Sequence, residues 1–154
     1  MKKILIISTT IILFSNCVTE SKMYPRQYSI KNESSQNVKL KFYLTFTNVE
    51  LIDEVAIFNN ESFKSELIEF SKPHSVDENY LINTAFKGSD SLVIIYDNSK
   101  RSIYSVDFYG NFSEPIDRNL FRFGNYEDLG NDEFQFTITQ EDYNNAEDCN
   151  GNCD

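Results

Sequence analysis

The chain has 154 residues and a formal net charge of −10, from 24 acidic against 14 basic side chains. That balance repels phosphate backbones and anionic lipid headgroups, so it disfavours a nucleic-acid partner and any membrane attachment that relies on basic residues. The five glycines are spread singly and there is one histidine, which leaves no glycine-rich phosphate loop and no histidine-based metal motif.

The first segment has three parts in order. Lys2 and Lys3 supply positive charge, Ile4 to Phe14 form an apolar run broken only by Ser8, Thr9 and Thr10, and Ser15-Asn16-Cys17 follows. This is the layout of a secretory signal, and the run ends after about a dozen residues where a membrane span needs about 20. Residues 1–16 are therefore expected to be a removable export signal. Loss of Lys2 and Lys3 takes the formal charge from −10 to −12, and 154 less 16 leaves 138 residues, the size of one domain.

Residues 17–27 are polar and include Thr19, Glu20, Lys22 and Pro25, and they read as a tether that spans roughly 35 Å when extended. A domain is expected over 28–146 and a polar, frayed tail over 147–154. Alternation at Tyr28-Ser29-Ile30-Lys31-Asn32 and over Val38 to Phe46 predicts two strands. The polar turn Glu33 to Asn37 between them predicts an antiparallel hairpin.

Val55 to Phe58 and Phe63 to Phe70 are apolar-rich and flank the turn pair Asn59-Asn60, the second segment also fitting a helical face. Tyr80 to Phe86, Ser91 to Tyr96 and Ile103 to Phe108 read as strands, the last two as a hairpin, with Leu92 to Tyr96 central and covered on both faces. Gly110 to Gly130 reads as a long loop with a short strand or helical turn. Phe134 to Ile138 is the last predicted strand, and Thr139 caps a helical turn through Ala146, with Gln140, Glu141 and Asp142 at its exposed amides. About seven short strands and one helical turn predict an all-β antiparallel sandwich or small barrel. The many Phe and Tyr residues are expected to serve as core and cross-strand packing.

In an exported protein, the two cysteines that remain, Cys149 and Cys153, are expected to form a disulfide closing a small loop. A metal site from Asp148, Cys149, Cys153 and Asp154 is the sharper alternative, disfavoured because zinc sites usually draw on two separated ligand pairs. His74 sits in Ser71-Lys72-Pro73-His74-Ser75 with no motif around it, and reads as an exposed loop residue rather than a catalytic base. The acidic stretch Asn125 to Glu133 lacks the ligand spacing of an EF-hand and reads as a solvated turn. Asp90-Ser91-Leu92 reads as a turn feeding a strand. No catalytic residue, metal or cofactor is expected.

Leu13-Phe14-Ser15-Asn16-Cys17 resembles the lipobox of bacterial lipoproteins, and Asp90-Ser91-Leu92 resembles the O-glycosylation acceptor of Bacteroidetes exported proteins. Tyr28 to Ser34 and Phe136 to Tyr143 are similar to the ends of small Bacteroidetes lipoproteins, a group without an assigned activity. The resemblance implies a lipid-bearing Cys17 and a place in the cell envelope, at the inner or outer membrane, periplasmic or surface-exposed. Two or three acyl chains hold a protein on a bilayer durably where one does not. The expected function is a non-catalytic module that binds an unknown protein or glycan. An envelope hydrolase or metal-dependent enzyme, and an immunity or inhibitor protein, remain as alternatives; a deep pocket of convergent carboxylates would favour the enzyme, a shallow aromatic surface the binder.

Overall fold

The computed structural model describes residues 23–46, 48–70 and 78–153. Among the described residues, ten strands and two short α-helices run in the order β1 (Tyr24–Glu33), β2 (Val38–Leu44), β3 (Glu50–Ile57), β4 (Ser62–Lys64), β5 (Ile68–Phe70), α1 (Glu78–Ala85), β6 (Ser91–Tyr96), β7 (Lys100–Ser105), β8 (Glu127–Gly130), β9 (Glu133–Thr139), α2 (Gln140–Asn145) and β10 (Glu147–Asp148). They form two sheets, one ordered β4-β1-β9-β8 with β5 also paired to β1, the other β10-β7-β6-β2-β3. Neither closes on itself. The protein is a β-sandwich.

The alternating residues of the strands make its core. Tyr28 and Ile30 of β1 and Phe134, Phe136 and Ile138 of β9 face Leu40 and Phe42 of β2 and Leu92, Ile94 and Tyr96 of β6. In β9 the burial alternates strictly, as period two requires when one face is covered. β6 is buried on both faces, in keeping with its unbroken apolar run and its place between β2 and β7.

Three expectations are corrected. The first two strands do not pair with each other: β1 pairs parallel with β9, Ile30 opposite Phe136, while β2 pairs with β3 and β6 in the other sheet. The cause lies in Asn32, fully buried, whose side-chain amide donates to the Gln36 carbonyl (2.7 Å) and the Ile57 carbonyl (3.1 Å) and whose Oδ1 accepts from the Ser34 N–H (3.0 Å). These bonds turn the chain across the sandwich instead of back along it. The sheet containing β1 is thereby mixed rather than antiparallel, with β2, β3, β6 and β7 of the second sheet inserted into the long connection that a parallel pair needs and β10 added after β9.

Second, the segment ending at Phe86 is helical in α1 rather than extended. Ile82, Ala85 and Phe86 lie three and four residues apart and share the buried face, and the Phe86 ring stacks on Phe42 at 5.4 Å. Burying side chains of this size stabilises the fold by about 2 kcal/mol each. Lys87 and Gly88, at φ +59° and +74°, then stop the helix, as the left-handed region does at helix ends.

Third, the tail is not frayed. β10 adds to the β7 edge, Asp148 opposite Lys100, and the Asn98 amide donates to the Gly151 carbonyl at 2.9 Å. At the other terminus, β1 begins at Tyr24, four residues earlier than the tether 17–27 implied. The predicted cap on α2 is present as a capping box between Thr139 and Asp142.

Candidate functional site: an aromatic cluster on two pinned loops

Asn32, Asn37, Ile57 and Asp97 all meet at the corner where β1 passes into β2, joined by the Asn32 bonds and by Asp97 N–H to the Asn37 carbonyl (3.0 Å). The far ends of these strands therefore point away from the corner: the start of β1, the end of β2, the start of β6 and, paired to it through Ser91 opposite Ser105, the end of β7. Two loops leave the sheet there, one beginning at Thr45 and the other spanning Val106 to Phe112.

A carboxylate holds each loop. Asp90, fully buried, accepts from the Thr45 N–H, the Thr45 hydroxyl (2.8 Å) and the Phe46 N–H (3.0 Å). Asp107 accepts from the Tyr109 N–H (2.8 Å), the Asn111 N–H (2.8 Å) and the Asn111 side-chain amide (2.8 Å). The Asn111 amide and the backbone N–H groups around the loop hold the Asp107 carboxyl below the usual carboxylate range. Gly110, at φ +83°, closes the turn. At its base, Val106 bridges Phe112, and the buried Asn119 amide donates to the Ser105 and Ser113 carbonyls at 3.0 and 3.1 Å.

What these pins hold outward is aromatic. Phe46 is 50 % exposed, Phe108 81 % and Tyr109 86 %. Their rings meet edge to face, Phe46 to Phe108 at 6.2 Å between centroids and Phe108 to Tyr109 at 5.7 Å. Beside them lies an open depression of about 460 Å³, bordered by Thr45, Ser105, Phe112 and Ser113. Contiguous apolar surface on fixed loops marks contact sites on folded proteins.

A second depression, of about 280 Å³, runs beside Arg118 and is bordered by Glu114, Asp142 and Glu147. Each carboxylate there already has a partner. Asp142 takes a bidentate bond from Arg118 (2.7 and 2.6 Å), Glu114 accepts from the Ile116 N–H (3.0 Å), and Glu147 lies 3.6 Å from the Arg101 Nε. Arg118 also donates to the Thr137 carbonyl at 2.7 Å and stacks over the Phe136 ring at 4.4 Å, the geometry of a structural clamp between α2 and β9. A smaller cavity of about 130 Å³ is walled by Phe42, Phe63 and Phe86 and edged by the Asp53–Lys87 ion pair at 2.8 Å.

Cys149 and Cys153 stand together as a disulfide pair, with Cα atoms 5.2 Å apart. Asp154, a member of the metal alternative, lies outside the described residues. No three His, Cys, Asp or Glu side chains converge as metal ligands among the described residues. In the stretch from Asn125 to Glu133, Asp128 accepts from the Gly130 N–H at 2.8 Å within a turn, and β8 occupies Glu127–Gly130. Asp90 and Ser91 are both buried, Asp90 at a bend and Ser91 as the first residue of β6, so the Asp90-Ser91-Leu92 tripeptide is a turn feeding a strand. Cys17 and His74 lie outside the described residues.

Apolar patterning alone places Phe108 at the end of a strand and assigns the aromatic residues to packing. The signal that separates it is Asp107 followed by Gly110-Asn111, a turn signature that ends the strand before Phe108. Comparison with protein families, with curated proteins and with solved structures gave no match. No helix among the described residues is long and apolar enough to cross a membrane.

Proposed function

We propose that this chain is a lipid-anchored protein of the cell envelope that acts by contact rather than catalysis, with Phe46, Phe108 and Tyr109 as its contact surface. The anchor rests on the signal-like segment and on Cys17 at its end. The observation that carries the contact reading is the aromatic cluster itself: three neighbouring rings stand in water on loops that Asp90 and Asp107 hold in place. Loops fixed before binding lose little conformational freedom on binding, and aromatic side chains supply much contact area for few rotatable bonds. The hydrolase reading finds less support, because the carboxylates beside Arg118 are engaged in structural bonds.

The test compares two environments. Hydroxyl-radical footprinting of the native protein in intact envelopes, set against the purified protein, is expected to protect Phe46, Phe108 and Tyr109 in the envelope. Phe58, 57 % exposed at the opposite corner, serves as the reference. Equal oxidation of the three rings in both settings contradicts the contact reading. The Cys17→Ala form is expected in the soluble fraction; its retention in the membrane contradicts the anchor.

A further inference from the structure

Resting on the anchored reading above, we infer that the occupant of the aromatic surface is the bilayer that carries the anchor, with Phe46, Phe108 and Tyr109 seated in its headgroup region. Chain length brings the two together. β1 begins at Tyr24, seven positions after Cys17, and a fully extended chain over that stretch reaches only about 25 Å. The start of β1 therefore stays near the lipid surface.

Topology decides which side of the sandwich is near. The start of β1 and the end of β2, which delivers Phe46, both lie away from the Asn32 corner, and the end of β7 that leads to Phe108 pairs with the start of β6 on that same side. The end of the sandwich that receives the tether is the end that carries the rings. Phe58 and the Asn59-Asn60 turn sit at the corner, where the Asn60 N–H donates to the Asn32 carbonyl at 2.8 Å.

The chemistry of the cluster suits this occupant. Two phenyl rings and a phenol at loop tips present apolar bodies with one polar hydroxyl, the composition that settles at the boundary between acyl chains and water. A formal charge of −12 for the chain from Cys17 offers no attraction to anionic lipids, so contact must come from apolar area and is expected on zwitterionic membranes. Asp107, the acid nearest the tips, already accepts three hydrogen bonds from its own loop, which lowers the cost of bringing it toward the headgroups.

The sequence has no tryptophan, so a single introduced indole reports without background. Full-length protein whose intact mass shows acylation at Cys17 is reconstituted into phosphatidylcholine vesicles in two forms, Phe108→Trp and Phe58→Trp. The first is expected to shift its emission to the blue and to be quenched at least about twofold by brominated phosphatidylcholine, while the second keeps the emission of a water-exposed indole. Water-like, unquenched emission from the Phe108→Trp form overturns the inference. If it shifts only when envelope polysaccharide or envelope protein is added, the occupant is that component and the bilayer assignment fails, although the contact reading stands. A preparation that never acquires acyl mass at Cys17 overturns the anchor and this inference together.

Discussion

The carboxylate of Asp90, wholly buried at the entrance to β6, accepts both the backbone N–H and the hydroxyl of Thr45 at 2.8 to 2.9 Å. Thr45 immediately precedes Phe46, so a buried acid fixes the first ring of the exposed cluster from beneath. Replacing Asp90 by Ala leaves the N–H groups of Thr45 and Phe46 without an acceptor, and is expected to destabilise the protein by about 3 kcal/mol. Asp90→Asn is expected to be nearly as damaging, because one acceptor becomes an amide that faces donors. Urea unfolding of the two variants measures this; a loss below about 0.5 kcal/mol in both contradicts the role assigned to Asp90.

The Arg118–Asp142 pair joins the segment after β7 to the capping box of α2. Arg118→Ala leaves a buried carboxylate with its charge uncompensated and removes the cation stacked on Phe136, for an expected cost of about 3 kcal/mol. Chemical denaturation of the single variants and the Arg118→Ala/Asp142→Ala double variant is expected to give a clearly non-additive cycle.

Much of the sandwich is legible in the residues, and the reason is period. The β6–β7 hairpin and the Thr139 cap are local patterns in which each residue's neighbours are its partners in sequence, and β9 shows itself by its own strict alternation. The failures are non-local. Alternation in Tyr24–Glu33 identifies a strand but carries no information on which strand it joins, and the deciding interactions, Asn32 with Ile57 and Ile30 with Phe136, cross long stretches of chain. The helix ending in Ile82, Ala85 and Phe86 was masked by its shortness, since eight residues give barely two turns in which a 3.6-residue repeat can show itself. The cluster at Phe46, Phe108 and Tyr109 is hidden for another reason: composition favours burial of aromatic residues, and only the turn at Asp107 to Asn111 betrays that two of them are turned outward.

Burial pushes the phenols of Tyr96, Tyr104 and Tyr126 upward, the dominant cause in each being removal from water. Because the folded state holds these protons more tightly than the unfolded chain, the associated stability is intact below pH about 10 and is lost as pH rises above it. Absorbance at 295 nm during an alkaline titration is expected to show the exposed tyrosines ionising gradually and the buried ones in one cooperative step coincident with loss of circular dichroism. Smooth ionisation of every tyrosine near pH 10 with the fold intact contradicts the burial of these three phenols.

At the acid end the sign reverses for Asp107. Its folded-state pKa is depressed, so its contribution is present above the ordinary carboxylate pKa of about 3.9 and disappears as pH falls through the lower folded value. The amide resonances of Tyr109 and Asn111 are expected to hold their positions through pH about 4 and to move together below it. Movement centred at or above that pH contradicts the pinned loop.

Cys149 and Cys153 close a loop of three intervening residues, so loop entropy limits the stabilisation from their bond to about 2 kcal/mol. Non-reducing alkylation and mass measurement of the native protein is expected to find both thiols blocked, and Cys149→Ser is expected to lower Tm only modestly. Two alkylated thiols in freshly isolated protein contradict the pairing.

The central claim is that a lipid-bearing Cys17 holds this sandwich in the cell envelope. Intact-mass analysis of the mature protein from its native membrane tests it most directly. The account predicts a polypeptide that starts at Cys17 and carries two or three acyl chains, whereas a mature chain starting at any other residue, or an unmodified Cys17, contradicts it.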